Sequence, residues 1–181
     1  MKKVVAFVLA LLALTLEGGC GYTLAGRGSF LPAYIHRIGI PLFANTSSVF
    51  DLDRIVTERV RAEFIGRGKY TIKPDATGVD GLVTGTITAV FLTPVAFNTA
   101  QQATRYALIM SASVEFKDMQ ANKVLWSNPS MQYREEFALD PVNPNTGQQD
   151  PSAFLGQNQN AKQRMANEFA RALVSAILEA F

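Results

Sequence analysis

The sequence predicts an α+β fold, a two-layer sandwich in which two helices pack on one face of a mainly antiparallel sheet. Three patterns predict it. Leu52, Ile55, Val56, Val60 and Phe64 recur at three- and four-residue steps, and Met165, Phe169, Leu173, Ile177 and Phe181 at every fourth residue, so each segment owns one apolar stripe at helical spacing. Residues 82–97 and 106–117, lying between them, alternate apolar with polar side chains, the period of strands with one dry face. One-sided helices and a one-sided sheet can bury their apolar surfaces only against each other.

The composition agrees with this. The 181 residues are 48% hydrophobic and 18% charged, which suits one globular domain and argues against a disordered or collagen-like chain. Seventeen Lys plus Arg stand against fifteen Asp plus Glu, a net charge of +2 with no dense basic run, so no nucleic-acid partner is expected. One Cys and one His exclude an intrachain disulfide, a Cys/His zinc cluster and a paired-histidine metal site by counting.

The N-terminus has the grammar of an export signal. Lys2 and Lys3 precede an apolar stretch from Val4 to Leu16, and Gly18-Gly19 then lead to Cys20. A membrane span needs about 20 apolar residues, so this run is short for a permanent helix and residues 1–19 are excluded from the fold as a signal peptide. Residues 20–34 are Cys20 and a glycine-rich stretch that ends near Pro32 and reads as a tether ahead of a domain at 35–181.

From Ile35 to Phe43 the chain places Ile38, Ile40 and Leu42 on one strand face, with Pro41 suited to an edge or a strand end. The helix over 51–65 begins at a cap from Ser48 or Asp51 and stops at Gly66 and Gly68. A short strand, Tyr70 to Lys73, follows. In the long run to Phe97, odd positions carry Val83, Ile87, Ala89, Phe91, Val95 and Phe97, while Thr84, Thr86 and Thr88 hold the wet face. After Asn98–Ala103 the pattern returns with Tyr106, Leu108, Met110, Ala112, Val114 and Phe116 opposed by Arg105, Ser111, Ser113, Glu115 and Lys117, so the pair reads as a long antiparallel hairpin. Lys123 to Phe137 continues the sheet. Asn128-Pro129 shifts its apolar phase from Val124 and Trp126 to Met131, Tyr133 and Phe137, which predicts a bulge or kink. Residues 139–160, with three prolines and many Asn and Gln, form a long polar loop before the helix over 161–181.

Chemistry-bearing constellations are scarce. His36 lies in a strand beside Arg37 with no Ser or Cys nucleophile in a recognisable turn, there is no G-x-S-x-G elbow, and Gly66-Arg67-Gly68-Lys69 lacks the spacing of a phosphate-wrapping loop. Glu135 and Glu136 alternate across a strand and so cannot share a proton. No catalytic residue, no metal ligand and no cofactor is expected apart from a covalent lipid on Cys20. Arg105, Lys117, Lys123 and Arg134 gather at the polar face or tips of the hairpin system, where they can meet phosphates of a lipid head group.

Gly18-Gly19-Cys20 resembles a bacterial lipoprotein signal, in which the thiol receives a diacylglycerol and becomes the first mature residue; Glu17 stands where that signal has an apolar residue. Gly21 in place of Asp implies the outer membrane, where acyl chains at about 0.8 kcal/mol per buried methylene would hold the protein without a basic patch. The order and spacing of Cys20-Gly21-Tyr22, IGIPLFANTSS, DGLVTGTITAVFLTPVAF, TRYALIMSASVEFKD and KVLWSNPSMQYREEF resemble the LptE family, lipopolysaccharide-assembly lipoproteins of Gram-negative outer membranes. That resemblance implies two helices on one four-stranded sheet and a non-enzymatic role. Its members plug the outer-membrane barrel LptD from the periplasmic side, assist its assembly and bind lipopolysaccharide. The alternative is a stand-alone outer-membrane or periplasmic lipoprotein that binds a small amphiphile in a cavity between sheet and helices.

Overall fold

A computed structural model describes residues 31–138, 155–156 and 158–180. The expected signal peptide, Cys20 and most of the polar loop at 139–160 lie outside the described residues. Eight elements follow in order: β1 (Arg37–Gly39), β2 (Ala44–Asn45), α1 (Leu52–Gly66), β3 (Thr71–Lys73), β4 (Gly81–Phe97), β5 (Ala103–Asp118), β6 (Lys123–Ala138) and α2 (Gln159–Leu178). The fold is α+β, with both helices contributing to one core.

The sheet corrects the expected four antiparallel strands. It has six strands in the order β3-β1-β4-β5-β6, with β2 also on β4, and it is mixed. β4, β5 and β6 form the antiparallel meander, but β1 runs parallel to both β3 and β4, and β2 parallel to β4. The reason lies in two return connections, α1 ahead of β3 and residues 74–80 between β3 and β4. A connection of this kind between two neighbouring strands carries the chain back to its starting end, so the second strand runs with the first. Pro41 supplies the rest of the difference. It has no N–H to give a ladder, and the predicted strand over 35–43 ends before it as β1, with β2 forming only beyond that range. Leu42, expected inside, turns outward at 59% exposure, and Phe43 enters the core in its place.

Both helices bury the stripes read from their spacing. Leu52, Ile55, Val56, Val60 and Phe64 of α1 and Met165, Phe169, Leu173 and Ile177 of α2 are buried. Arg59 reaches Gln163 at 2.7 Å and Arg67 reaches Ser175 at 3.0 Å, so the two helices run parallel. Asp51 occupies the start of α1 in a left-handed conformation (φ 63°), yet its carboxylate takes Arg54 rather than a backbone N–H. Asn158 caps α2 by accepting from the N–H of Ala161 at 3.0 Å. Arg164 of α2 donates to Glu135 at 3.3 Å and lies 5.5 Å over the ring of Phe137, while Tyr133 donates to Glu135 at 2.6 Å. These contacts pin the final helix to β6.

On β5 the expected dry face is complete, with Tyr106, Leu108, Met110, Ala112, Val114 and Phe116 all buried. β4 departs from the reading. Its register slips between Ile87 and Ala89, leaving Thr88 as an extra residue, and a one-residue slip exchanges the faces. Val83 and Ile87 point to the core before the slip and Val90 after it, so Phe91 and Phe97, expected inside, are 54% and 61% exposed. The kink foreseen at Asn128-Pro129 is present, since the pairing steps from Ala112↔Met131 to Val114↔Asn128. A second slip between Phe116 and Lys117 turns Val124 outward, opposite Lys117.

The N-terminal segment is locked to one end of the sheet. Leu31, within the stretch read as a tether, is in the core, and the Tyr34 hydroxyl donates to Asp118. Asp80 accepts from the backbone N–H groups of His36 (3.1 Å) and Arg37 (2.9 Å), from the Arg37 guanidinium (2.9 Å) and from Gln120 (3.3 Å). The Arg37 guanidinium, followed by the backbone donors, holds the Asp80 carboxyl well below the usual carboxylate range. A folded-state value depressed in this way contributes stability above the unfolded value near pH 4, which is lost as pH falls toward the folded value. Asp80→Asn is therefore expected to melt below wild type at neutral pH. Melting curves taken at successively lower pH should show the gap closing below about pH 4, and a gap that is constant with pH would contradict this account.

Candidate functional site

The face of the meander turned away from the helices is largely open, although Ala107 and Ser111 of its central strand are buried. Rows run across it by register: Thr84–Glu115–Ser127, Thr86–Ser113, Ala89–Ser111–Gln132, Phe91–Ile109–Arg134 and Thr93–Ala107–Glu136. Thr84, Phe91, Thr93, Ser127, Gln132, Arg134 and Glu136 are exposed, and none of the described helices lies over them. The alternation that turns apolar side chains of β5 toward the helices leaves Ser111, Ser113, Glu115 and Lys117 on this side. The middle of the face is therefore short, flat and weakly polar.

Toward the β4–β5 turn the surface changes character. Phe91 and Ile109 stand opposite one another beside Arg134, and Arg105 and Arg134 converge on one carboxylate, with Glu136 at 3.2 Å and 3.3 Å. All three charged side chains are over a third exposed, so the group is a solvated cluster that adds little to stability. Two guanidiniums sharing one carboxylate leave one net positive charge and several outward N–H donors, the fork geometry that phosphate oxygens accept. The turn beyond is rigid, because the Asn98 side chain accepts from the N–H groups of Ala100 and Gln102 and donates to the Gln102 side chain, while Gln101 takes the left-handed conformation.

The structure therefore divides the four cations singled out from the sequence. Arg105 and Arg134 meet. Lys117 lies twelve positions further along β5, about 40 Å at strand rise, and adjoins Lys123 at the β5–β6 turn. The two pairs occupy opposite ends of the hairpin, too far apart to meet one head group.

His36 is exposed, and its backbone rather than its ring is used, on Asp80. Glu135 faces α2 through Arg164 while Glu136 faces outward, the separation that their alternation predicts. Gly68 takes φ +70° and serves the turn after α1. Among the described residues no cluster of three His, Cys, Asp or Glu side chains could hold a metal ion, and no helix is long and apolar enough to cross a membrane. Sequence reasoning missed Phe91 as a surface residue. The signal was there in Val90 and Leu92, apolar at even positions, which mark the slip of phase at Thr88.

The sequence model of the lipopolysaccharide-assembly family LptE matches residues 35–177. Among solved structures, the hypothetical protein CT253 from Chlamydia trachomatis aligns with a TM-score of 0.51 at 10% identity, covering 78% of this chain and 95% of that one. The PelC dodecamer from Paraburkholderia phytofirmans gives 0.50 at 10% identity, covering 83% and 94%. The rare lipoprotein B from Shewanella oneidensis gives 0.47 at 13% identity, covering 78% and 96%. At these identities the first two likenesses concern the fold alone. No curated protein sequence matches the chain.

Proposed function

The chain belongs to the LptE family, a family of lipopolysaccharide assembly, and on that premise we propose that it is an outer-membrane lipoprotein that plugs an LptD-like barrel. Anchored by lipid on Cys20 at the periplasmic side, it assists assembly of that barrel and takes part in inserting lipopolysaccharide at the cell surface. The observation that supports this reading is the open outer face of β4, β5 and β6, whose rows of Thr, Ser and Gln suit the wet wall of a large barrel. Arg105 and Arg134, beside Phe91 and Ile109, are the positions we assign to an anionic amphiphile such as lipopolysaccharide, phosphate on the guanidiniums and acyl chain on the apolar pair. The role is one of binding and positioning, without catalysis.

Affinity purification in gentle detergent, with mass identification of co-purifying membrane proteins, tests the reading. The protein is expected to bring down a barrel of roughly LptD size. Thr84→Arg with Ser127→Arg, two bulky cations on one flat row, should cut that recovery by about tenfold or more, the effect of roughly 1.4 kcal/mol at an interface. Arg171→Ala, on the helical side, should leave it unchanged. Recovery of no barrel at all, or equal recovery with the row disrupted, would count against the plug.

A further inference from the structure

We propose that the end of the sheet carrying the β5–β6 turn is a second binding surface, one that seats the protein on an anionic phospholipid bilayer. The inference rests on the lipid anchor proposed above only for which membrane is met; the surface itself stands on its own residues.

Strand directions bring several chain segments to this one end. β1, β3, β4 and β6 begin here and β5 finishes here, as their pairings Arg37↔Thr71, Ile38↔Gly81 and Asp118↔Lys123 require. The chain also enters the domain here, through Leu31 in the core and Tyr34 on Asp118, eleven residues after Cys20. Eleven residues span at most about 40 Å when extended, so a lipid on Cys20 confines this end, more than any other, to the membrane surface.

The side chains match such a surface. Residues 117–124 carry two cations, Lys117 and Lys123, and one carboxylate, Asp118. That carboxylate is buried, accepting from Tyr34 and from the backbone of Gln120 and Ala121, and Tyr34 foremost holds its pKa below the usual range. The outward charge of the turn is therefore positive, and neither lysine has an ion-pair partner among the described residues. Lys69, before β3, adds a third cation about three strand spacings away, roughly 14 Å. Set among them are Met119 at 39%, Val124 at 43% and Tyr34 at 43% exposure. Lysines that keep their charge at the phosphate level beside short apolar and aromatic side chains are what an interfacial site offers, and each cation near an anionic surface strengthens binding by about fivefold.

The test uses the mature chain carrying Cys20→Ser, which removes acylation, in flotation with phosphatidylcholine vesicles with and without phosphatidylglycerol. The protein is expected to float with the phosphatidylglycerol vesicles and not with phosphatidylcholine alone. Lys117→Glu with Lys123→Glu should lower the bound fraction by at least about tenfold, two cations at about fivefold each being the basis. Arg59→Glu with Arg171→Glu, the same charge change on the helical side, should not. Absence of flotation by the Cys20→Ser chain with its lysines intact, or an equal loss with the control pair, overturns the proposal. Intact mass of the protein from cells reads the anchor separately. A bare Cys20 with vesicle binding intact would reject the anchor and keep this surface, and an acylated Cys20 with no flotation of the unacylated chain would do the reverse.

Discussion

Gly85→Val is expected to lower the stability of the domain by about 3–5 kcal/mol, the range of losing a buried aromatic from a core. The ring of Phe43, 1% exposed, lies flat on the backbone of Gly85, and a Cβ there would stand 2.7 Å from its Cζ and closer to two further ring carbons. Neither side can give way. The Gly85 backbone is held between β5 and the parallel strands, and the Phe43 N–H is tied to the buried hydroxyl of Thr57 at 3.0 Å. Folded domains have only about 5–15 kcal/mol in hand, so the variant stands near the edge of folding. Urea unfolding is the measurement, with Gly85→Ala as the milder member and Phe43→Leu as its partner. The double variant should recover part of the loss, because the smaller side chain vacates the space that the new methyl needs. An unchanged midpoint for Gly85→Ala would show that the ring is not seated on the glycine.

Expressed in excess over its barrel partner, the Cys20→Ser variant is expected to leave the membrane fraction for the soluble fraction almost entirely. Two or more acyl chains make anchoring effectively stable, whereas a surface with two or three cations binds weakly and reversibly. The near-balance of charge in the chain, +2 overall, supplies no other attraction of comparable strength. Fractionation of cells at ordinary ionic strength reads the result, and intact mass on the wild type should carry the added lipid. A wild-type chain that is soluble and unmodified would refute the anchor, and Glu17 ahead of the Cys is the first place to look for the cause.

What the sequence disclosed and what it hid divide along a physical line. Elements whose period is uninterrupted were legible. α1, α2 and β5 each carry one apolar phase from end to end, and its described members are buried, with Ala107 and Ser111 of β5, Thr57 of α1 and Lys162 of α2 buried beside them. Elements containing a phase slip were not. Thr88 breaks β4 without any Gly or Pro to mark it, so Phe91 and Phe97 read as core and stand outside. Pro41 was visible, but it reads equally as an edge position or a strand end. The parallel pairing of β1 with β3 and β4 depends on which neighbour a short strand chooses, and three residues carry too little pattern to decide that. The outer face was legible as a surface because the sequence of β5 alternates without a break from Tyr106 to Phe116, although Ala107 and Ser111 on that side are buried. The division of its four cations into two distant pairs follows from register, which spacing along the chain does not reveal.

The last helix has a consequence for the making of the protein. α2 contributes ten buried residues and lies along α1, more than ninety positions earlier in the chain. A ribosome or a secretion channel releases the chain N-terminus first, and until its final stretch emerges the greasy side of the sheet has only α1 to share its core. The unfinished polypeptide is thus kept pliable for transit, at the hazard of clumping should a chaperone not hold it meanwhile.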